Sequence, residues 1–266
     1  MKFSGWLVIV AILLPVQASD ADVLINELFV NAPGGDNGRE FLELRGSNNF
    51  SLLDHWFLAV DGDGSAAGTV KHALDLGSFS LGSNGLFVWR DAASGSPAAG
   101  TAVHTEDFSP DIENGTNTFL LVTDFSGSVG DDLDAANSGT LDSTPWSSVV
   151  DALAWTDGGS SDRMYAGLLG GPEIDTGQFT PDLGFRDRLS RNWFFSDVVD
   201  PGESFDPSEF ADQNGVVVDP NSLGFDFQTT SLGNFNPTSI PEPANGLALL
   251  IVAAGLACRK NRDRSS

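Results

Sequence analysis

Between Ser19 and Ile240 the apolar positions fall in short runs separated by turn formers. ADVLINELFVN (21–31) and REFLELRG (39–46) alternate apolar and polar residues, the period of a strand with one buried face. DHWFLAVDGDG (54–64), LFVWRD (86–91), NTFLLVTD (117–124), VVDALAW (149–155) and RNWFFSDV (191–198) are aromatic and β-branched runs, which also favour strands. Between them lie GSNG (82–85), DGDGS (61–65), ASGSP (93–97), DGGSS (157–161) and DPGES (200–204), all dense in turn residues. No stretch of this body carries a helical stripe longer than about two turns, and no fixed-period repeat points to a solenoid or propeller. The pattern predicts an all-β chain, a β-sandwich or small barrel.

Both ends break this pattern. Lys2, an apolar run from Trp6 to Leu14 and the small residues Val16 and Ala18 read as a secretion signal over 1–18, cleaved after Ala18. At the other end Pro241-Glu242-Pro243 precedes an apolar stretch, Gly246 to Cys258, and then Arg259, Lys260, Arg262 and Arg264. As a helix that stretch is about 20 Å long, short of a hydrocarbon core of roughly 30 Å, and its basic flank belongs on the cytoplasmic side. The three parts in this order resemble a PEP-CTERM sorting signal over 237–266, with the hydrophobic helix at 244–258 and the basic tail at 259–266. The resemblance implies an exosortase, a membrane-embedded protease that recognises Pro241, Glu242 and Pro243, as partner in transit.

Charge sharpens the reading. The chain holds 13 Lys and Arg against 37 Asp and Glu. Setting aside Lys2, the four tail cations, Glu242 and Asp263 leaves eight cations against 35 acids, a net charge of −27 on the body. Such a field repels nucleic acid and attracts divalent cations. The single cysteine, Cys258, lies in the apolar tail segment, so the body has no disulfide and no cysteine-rich metal site. It must be held by its own core.

The strand order carries a second resemblance. Ile25-Asn26-Glu27, Glu40-Phe41-Leu42-Glu43-Leu44 and His55-Trp56 follow one another as the opening strands of a lamin-tail domain do. FLLVTDFSG, Val149-Val150-Asp151 with Trp155, and the Thr230-Ser231-Leu232-Gly233-Asn234-Phe235-Asn236 turn are similar to its middle and closing patterns. His55 stands where that family has Gly, and Leu232 where it commonly has Pro. The resemblance implies an immunoglobulin-like β-sandwich over 22–236, with insertions at 92–117 and 157–187 decorating one sandwich. Asn26, Glu27 and Glu40 lie beside a Gly-rich turn, and buried side chains there can cap free backbone N–H groups. Arg39, Arg45 and Arg191 each have several carboxylates to choose from.

Candidate chemistry is sparse. The three histidines are scattered: His55 reads as a sandwich-edge residue, His72 and His104 as solvated. There is no G-x-S-x-G elbow and no H-E-x-x-H zinc motif. Paired carboxylates are abundant, but a glycosidase needs two at a set separation in a cleft, which sequence does not reveal. Calcium is the most credible ligand: Asp61, Asp63 and Ser65 place hard oxygens at alternate positions, and Asp131, Asp132 and Asp134, with Asn137, make a second cluster. The EF-hand pattern fails at the first of these, since His72 and Ala73, not Glu, stand where its closing ligand belongs.

The expectation is an exported, surface-sorted, non-enzymatic β-sandwich, anchored in the membrane before processing. Its role is structural or binding, in the envelope or an extracellular polysaccharide matrix, with no nucleic-acid partner and no cofactor beyond Ca²⁺. The alternatives are a calcium-dependent carbohydrate-binding module and a secreted metal-dependent hydrolase.

Overall fold

The computed structural model describes residues 23–32, 38–177, 179–197, 209–220 and 231–238. The signal segment with Ala18, the Pro241-Glu242-Pro243 triplet, the hydrophobic helix and the basic tail lie outside the described residues. Within them the chain is all-β, with two mixed sheets and almost no helix, its complete 3₁₀ turns being Gly64–Ala66 and Gly167–Leu169. No described helix is long and apolar enough to cross a membrane.

The strands are β1 (Val23–Phe29), β2 (Phe41–Gly46), β3 (His55–Asp61), β4 (Val70–Asp75), β5 (Leu86–Arg90), β6 (Ala102–Thr105), β7 (Asn117–Thr123), β8 (Ser148–Trp155), β9 (Glu173–Ile174), β10 (Leu183–Arg186), β11 (Trp193–Ser196) and β12 (Phe210–Asp212). One sheet has the order β12-β11-β10-β1-β2-β5-β6, the other β4-β3-β7-β8-β9. All pairings are antiparallel except β5–β6 and β8–β9. The expected insertions therefore contain strands of their own: β6 lies in the first, and β9 and β10 in the second.

The two sheets close over one core. Ile25, Leu28, Leu42, Leu44, Phe87, Trp193 and Phe195 from the larger sheet meet Phe57, Phe119, Leu121, Leu153 and Trp155 from the smaller. Phe119 packs 4.6 Å from Trp155, which meets Phe195 edge-on at 6.0 Å across the sandwich. These aromatic contacts add to the burial of their own apolar area.

Strict alternation fails, because the outer faces are covered too. Leu58, Val60, Leu120, Val122, Ala152 and Ala154 point away from the central core, under Phe125, Leu133, Tyr165 and Ala166 of the long loops. On the larger sheet Phe29, Phe41, Phe185, Phe194 and Phe210 form a second outer cluster, joined by Leu232 of the closing segment. Strands buried on both faces read as unbroken apolar runs, which is why LFVW and FLLV show no period of two.

A bulge sets which side chains reach which face. In β1 the register steps from Ile25↔Leu44 to Glu27↔Glu43, leaving Asn26 as the extra residue. A bulge shifts the side-chain parity, so Ile25 and Leu28 both enter the central core while Glu27 and Phe29 share the outer face. His72 departs from the expectation of a solvated residue. It sits on β4 with 5 % of its surface exposed, edge-on to Phe108 at 5.6 Å, and burial pushes its imidazole pKa down.

Candidate functional site

Two polar regions stand out, one buried and one at an end of the sandwich. The buried one is assembled from the motif residues of the opening strands. Glu27 and Glu43 are cross-strand neighbours on the outer face of the larger sheet, both buried. The closing segment 231–238 lies on them. Ser231 donates its backbone N–H to Glu27 at 3.0 Å, and its hydroxyl also contacts that carboxyl. Gly233 N–H donates to Glu43 at 2.7 Å, and the Asn26 side chain donates to the same carboxyl at 2.5 Å. Asn236 returns the contact, its amide nitrogen donating to the carbonyls of Asn26 and Arg186 at 2.9 Å each. Gly233 is required here. Its φ is +71°, and a Cβ would stand 2.4 Å from Pro97 Cβ and 2.8 Å from the Ala98 nitrogen.

This latch constrains protonation. Asn236 Oδ1 lies 2.6 Å from the Ser231 hydroxyl, and the double donation by Nδ2 fixes the orientation of that amide. A hydroxyl has one proton to give. Ser231 Oγ therefore donates to Glu27 or to Asn236 but not to both at once, and a protonated Glu27 can donate to the hydroxyl while that proton is on Asn236. Burial raises the Glu27 pKa to about 7 against the opposing pull of the Ser231 hydrogen bonds. Burial, followed by the charge of Glu27, holds Glu43 well above the usual carboxylate range. Glu40 has a comparable structural place, accepting the Ile112 N–H at 2.9 Å, and Asp91 accepts the N–H groups of Glu40 and Phe108. These carboxylates cap backbone N–H groups of segments remote in sequence; residues 33–37 of the adjacent Gly-rich turn lie outside the described residues.

The second region gathers the acids at one end. Asp61 closes β3, and its Oδ1 accepts the Asp63 N–H at 2.7 Å, an Asx turn. Asp61, Asp63 and Glu113 bring carboxylate oxygens within 4.8 Å of one another, and Asp63, Asp157 and Asp162 do the same. Asp63 belongs to both groups. It comes close because Gly115 has no side chain: a Cβ there would stand 2.0 Å from Asp63 Oδ2. Lys71 partly compensates the first group, 2.8 Å from Asp61 and 3.6 Å from Glu113. In the second, Thr116 Oγ1 donates to Asp162 at 2.7 Å and accepts the Asp157 N–H at 3.2 Å.

The electrostatics follow from this crowding. Burial, then the charges of Asp157, Asp162 and Asp61, raise the Asp63 pKa against the Thr116 N–H. Burial and Asp61 raise Glu113. Asp162 goes the other way: burial acts to raise it, but donors led by the Thr116 hydroxyl outweigh that. Beside the second group a groove of about 410 Å³ is lined by Thr156, Asp157, Asp175, Phe179 and Thr180. Hard oxygen donors of this kind suit Ca²⁺ or Mg²⁺. Neither group contains a histidine.

The sequence-derived metal candidates thus separate. Asp61 and Asp63 come together with Glu113, whereas Ser65 sits exposed in the following 3₁₀ turn. Asp131 and Asp132 are exposed and turn onto nearby backbone, accepting the N–H groups of Ser128 and Asp134. Asp134 is buried, with both oxygens taken: the Ser138 N–H and hydroxyl on one, the Gly139 N–H and Tyr165 hydroxyl on the other. Burial acts to raise its pKa, yet these donors hold it below the usual carboxylate range. Glu113, Asp157 and Asp162 carry no signal in the sequence, because each stands in a turn-rich insertion where acids are common for backbone reasons. Of the histidines, His55 accompanies the start of β3, and His104 pairs with Glu106 at 2.9 Å. Comparison with protein families, with curated sequences and with solved structures returns no match for this chain.

Proposed function

We propose that this chain is an exported, surface-sorted, non-enzymatic β-sandwich module of lamin-tail type, with a structural or binding role in the cell envelope or its polysaccharide matrix. The observation that carries this reading is the latch. The residues by which the sequence resembles lamin-tail domains, Asn26, Glu27, Glu43 and the 231–236 turn, converge on one buried network although up to 210 positions separate them. A motif consumed in closing the fold is a structural signature, and its carboxylates face backbone donors rather than a cleft.

Sorting rests on the terminal segments. In the producing cell, replacing Pro241-Glu242-Pro243 by alanines leaves export intact and traps the uncleaved chain in the membrane. Appearance of that variant outside the cell at the same mass as the unaltered chain contradicts the sorting role.

A second reading has its own support. Asp63, shared by two carboxylate groups beside an acidic groove, favours a calcium-dependent binding module. Oxygen ligands left on the groove side could meet sugar hydroxyls through the ion. The calcium titration described in the Discussion separates the two readings.

A further inference from the structure

Charged residues are unevenly placed along the strands of the sandwich. The C-terminal ends of β1, β3 and β8 and the N-terminal ends of β2 and β7 share one end, where Glu40, Asp61, Asp63, Asp91, Glu113, Asp157 and Asp162 collect. At the opposite end β2 carries Arg45 one residue before its end, and β10 turns into β11 through Arg186, Arg188 and Arg191. Half of the eight cations of the body therefore sit on one hairpin and its neighbour. Arg45 donates to the Arg188 carbonyl at 3.2 Å, and Arg186 donates to that of Arg191 at 3.2 Å, so the four are joined in two pairs.

The same tip exposes large apolar groups. Leu189 is 70 % exposed and Phe235 43 %, with the Arg188 guanidinium 4.1 Å above the Phe235 ring. The tip is braced: Asp187, buried beneath it, accepts the N–H groups of Leu189 and Ser190 at 2.8 and 2.6 Å. Asp151 is engaged by Arg186. Other acids at this end are Asp212, the last residue of β12, and Asp54, Asp75 and Asp124 on the rim of the smaller sheet. The basic, apolar patch is thus confined to the larger sheet.

This is also where the chain leaves the fold toward its apolar tail. Arg188 N–H donates to the Pro237 carbonyl at 3.1 Å. Only residues 239–245 separate Thr238 from the start of the apolar run, and they span at most about 25 Å fully extended. With that run in a bilayer, the arginine-bearing end is held close to the headgroups, and the acidic end of a body at −27 is repelled away. Exposed Arg beside Leu and Phe is the composition of a group that lies in a membrane interface.

We propose that Arg45, Arg188, Leu189, Arg191 and Phe235 form a docking surface for anionic phospholipid headgroups, used while the chain keeps its tail. The inference rests on the reading of the tail as a membrane segment, and the test separates the two. The full chain, carrying Cys258→Ser, receives a fluorophore at Leu189→Cys or, as the opposite end, at Ser160→Cys. A third sample is labelled at the native Cys258. All are reconstituted into phosphatidylglycerol–phosphatidylcholine vesicles containing headgroup-quencher lipid.

The expected result is quenching at Leu189→Cys at least about twofold that at Ser160→Cys, falling toward the latter at high salt or with Arg188→Glu and Arg191→Glu. Equal quenching at the two ends overturns the docking surface. The Cys258 label reports on the tail alone. If it is quenched while the two ends are equal, the tail reading survives and the docking surface does not. If it is unquenched, the tail reading fails, and a selective signal at Leu189→Cys still supports lipid docking while its absence overturns it.

Discussion

Glu27 and Glu43 face each other across the β1–β2 ladder with both carboxyls buried under the closing segment. Two carboxylates side by side are ordinarily destabilising in a sheet. Here each accepts a backbone N–H from a segment that follows 190 to 204 positions later in the chain. Protonation of one carboxyl removes the repulsion.

A pH dependence follows. The Glu27 pKa rises from 4.5 to about 7 on folding, so between these values the native state binds more protons than the unfolded chain. Its contribution is complete below the unfolded value and is lost as pH rises through about 7. Denaturant midpoints should therefore decline from mildly acidic to mildly alkaline pH. Glu27→Gln, which keeps an acceptor for the Ser231 N–H and has an N–H for its hydroxyl, should flatten that decline, by up to about 3 kcal/mol across the window. An unchanged slope in the variant places the titration elsewhere.

The sheets are also tied by Arg186 and Asp151. Arg186 Nη2 lies 2.7 Å from both oxygens of Asp151, which accepts the Ile25 N–H, while Arg186 Nε donates to the Ile25 carbonyl. Asp151→Ala leaves a largely buried guanidinium without its anion and should cost about 3 kcal/mol in urea unfolding. Adding Arg186→Met should recover part of that loss. If the double variant is as unstable as the sum of the singles, the pair is not acting as a unit.

The strands that were legible in the sequence are those with long aromatic or β-branched runs: β1, β2, β3, β5, β7, β8 and β11. β4 was hidden because VKHALD mixes charge into an edge strand, and one of its two buried residues is His72, whose burial sequence polarity does not signal. β6, β9 and β12 are two to four residues long, and β10 carries Gly184, where a Cβ would press on Phe195 and Trp155. Asp61 and Asp63 were legible as an oxygen-rich turn. Their partners were not, since Glu113, Asp157 and Asp162 arrive by tertiary contact from two separate loops.

Calcium should act through Asp63. It sits in both carboxylate groups, whereas Asp61 is already paired with Lys71. Millimolar calcium should raise the melting midpoint more than sodium chloride of equal ionic strength, since an ion at a hundredfold excess over its dissociation constant stabilises by about 2.7 kcal/mol, a shift of several degrees. Asp63→Asn should abolish the excess. Equal shifts from both salts reduce these groups to acidic turns and remove the calcium-dependent reading.

Asp134 is a different kind of acid. Its oxygens accept from Ser138, Gly139 and Tyr165, pinning the loop that covers the outer face of the smaller sheet. Asp134→Ala strands these donors and should cost about 3 kcal/mol, with hydrogen exchange rising first in 131–141. Calcium should not rescue it. Rescue by calcium gives Asp134 a ligand role that its hydrogen bonds do not.

The account holds that the motif acids close the fold, so the decisive comparison is between a chain spanning Ser19 to Ile240 and one ending at Thr230. The first retains Ser231, Gly233 and Asn236 and should melt in one cooperative β-type transition. The second leaves Glu27 and Glu43 without those donors and uncovers Phe29 and Phe41, so its midpoint should drop by ten degrees or more or its cooperativity vanish (about 3 kcal/mol or more). Identical melts for the two chains contradict the latch and, with it, the structural reading of the motif.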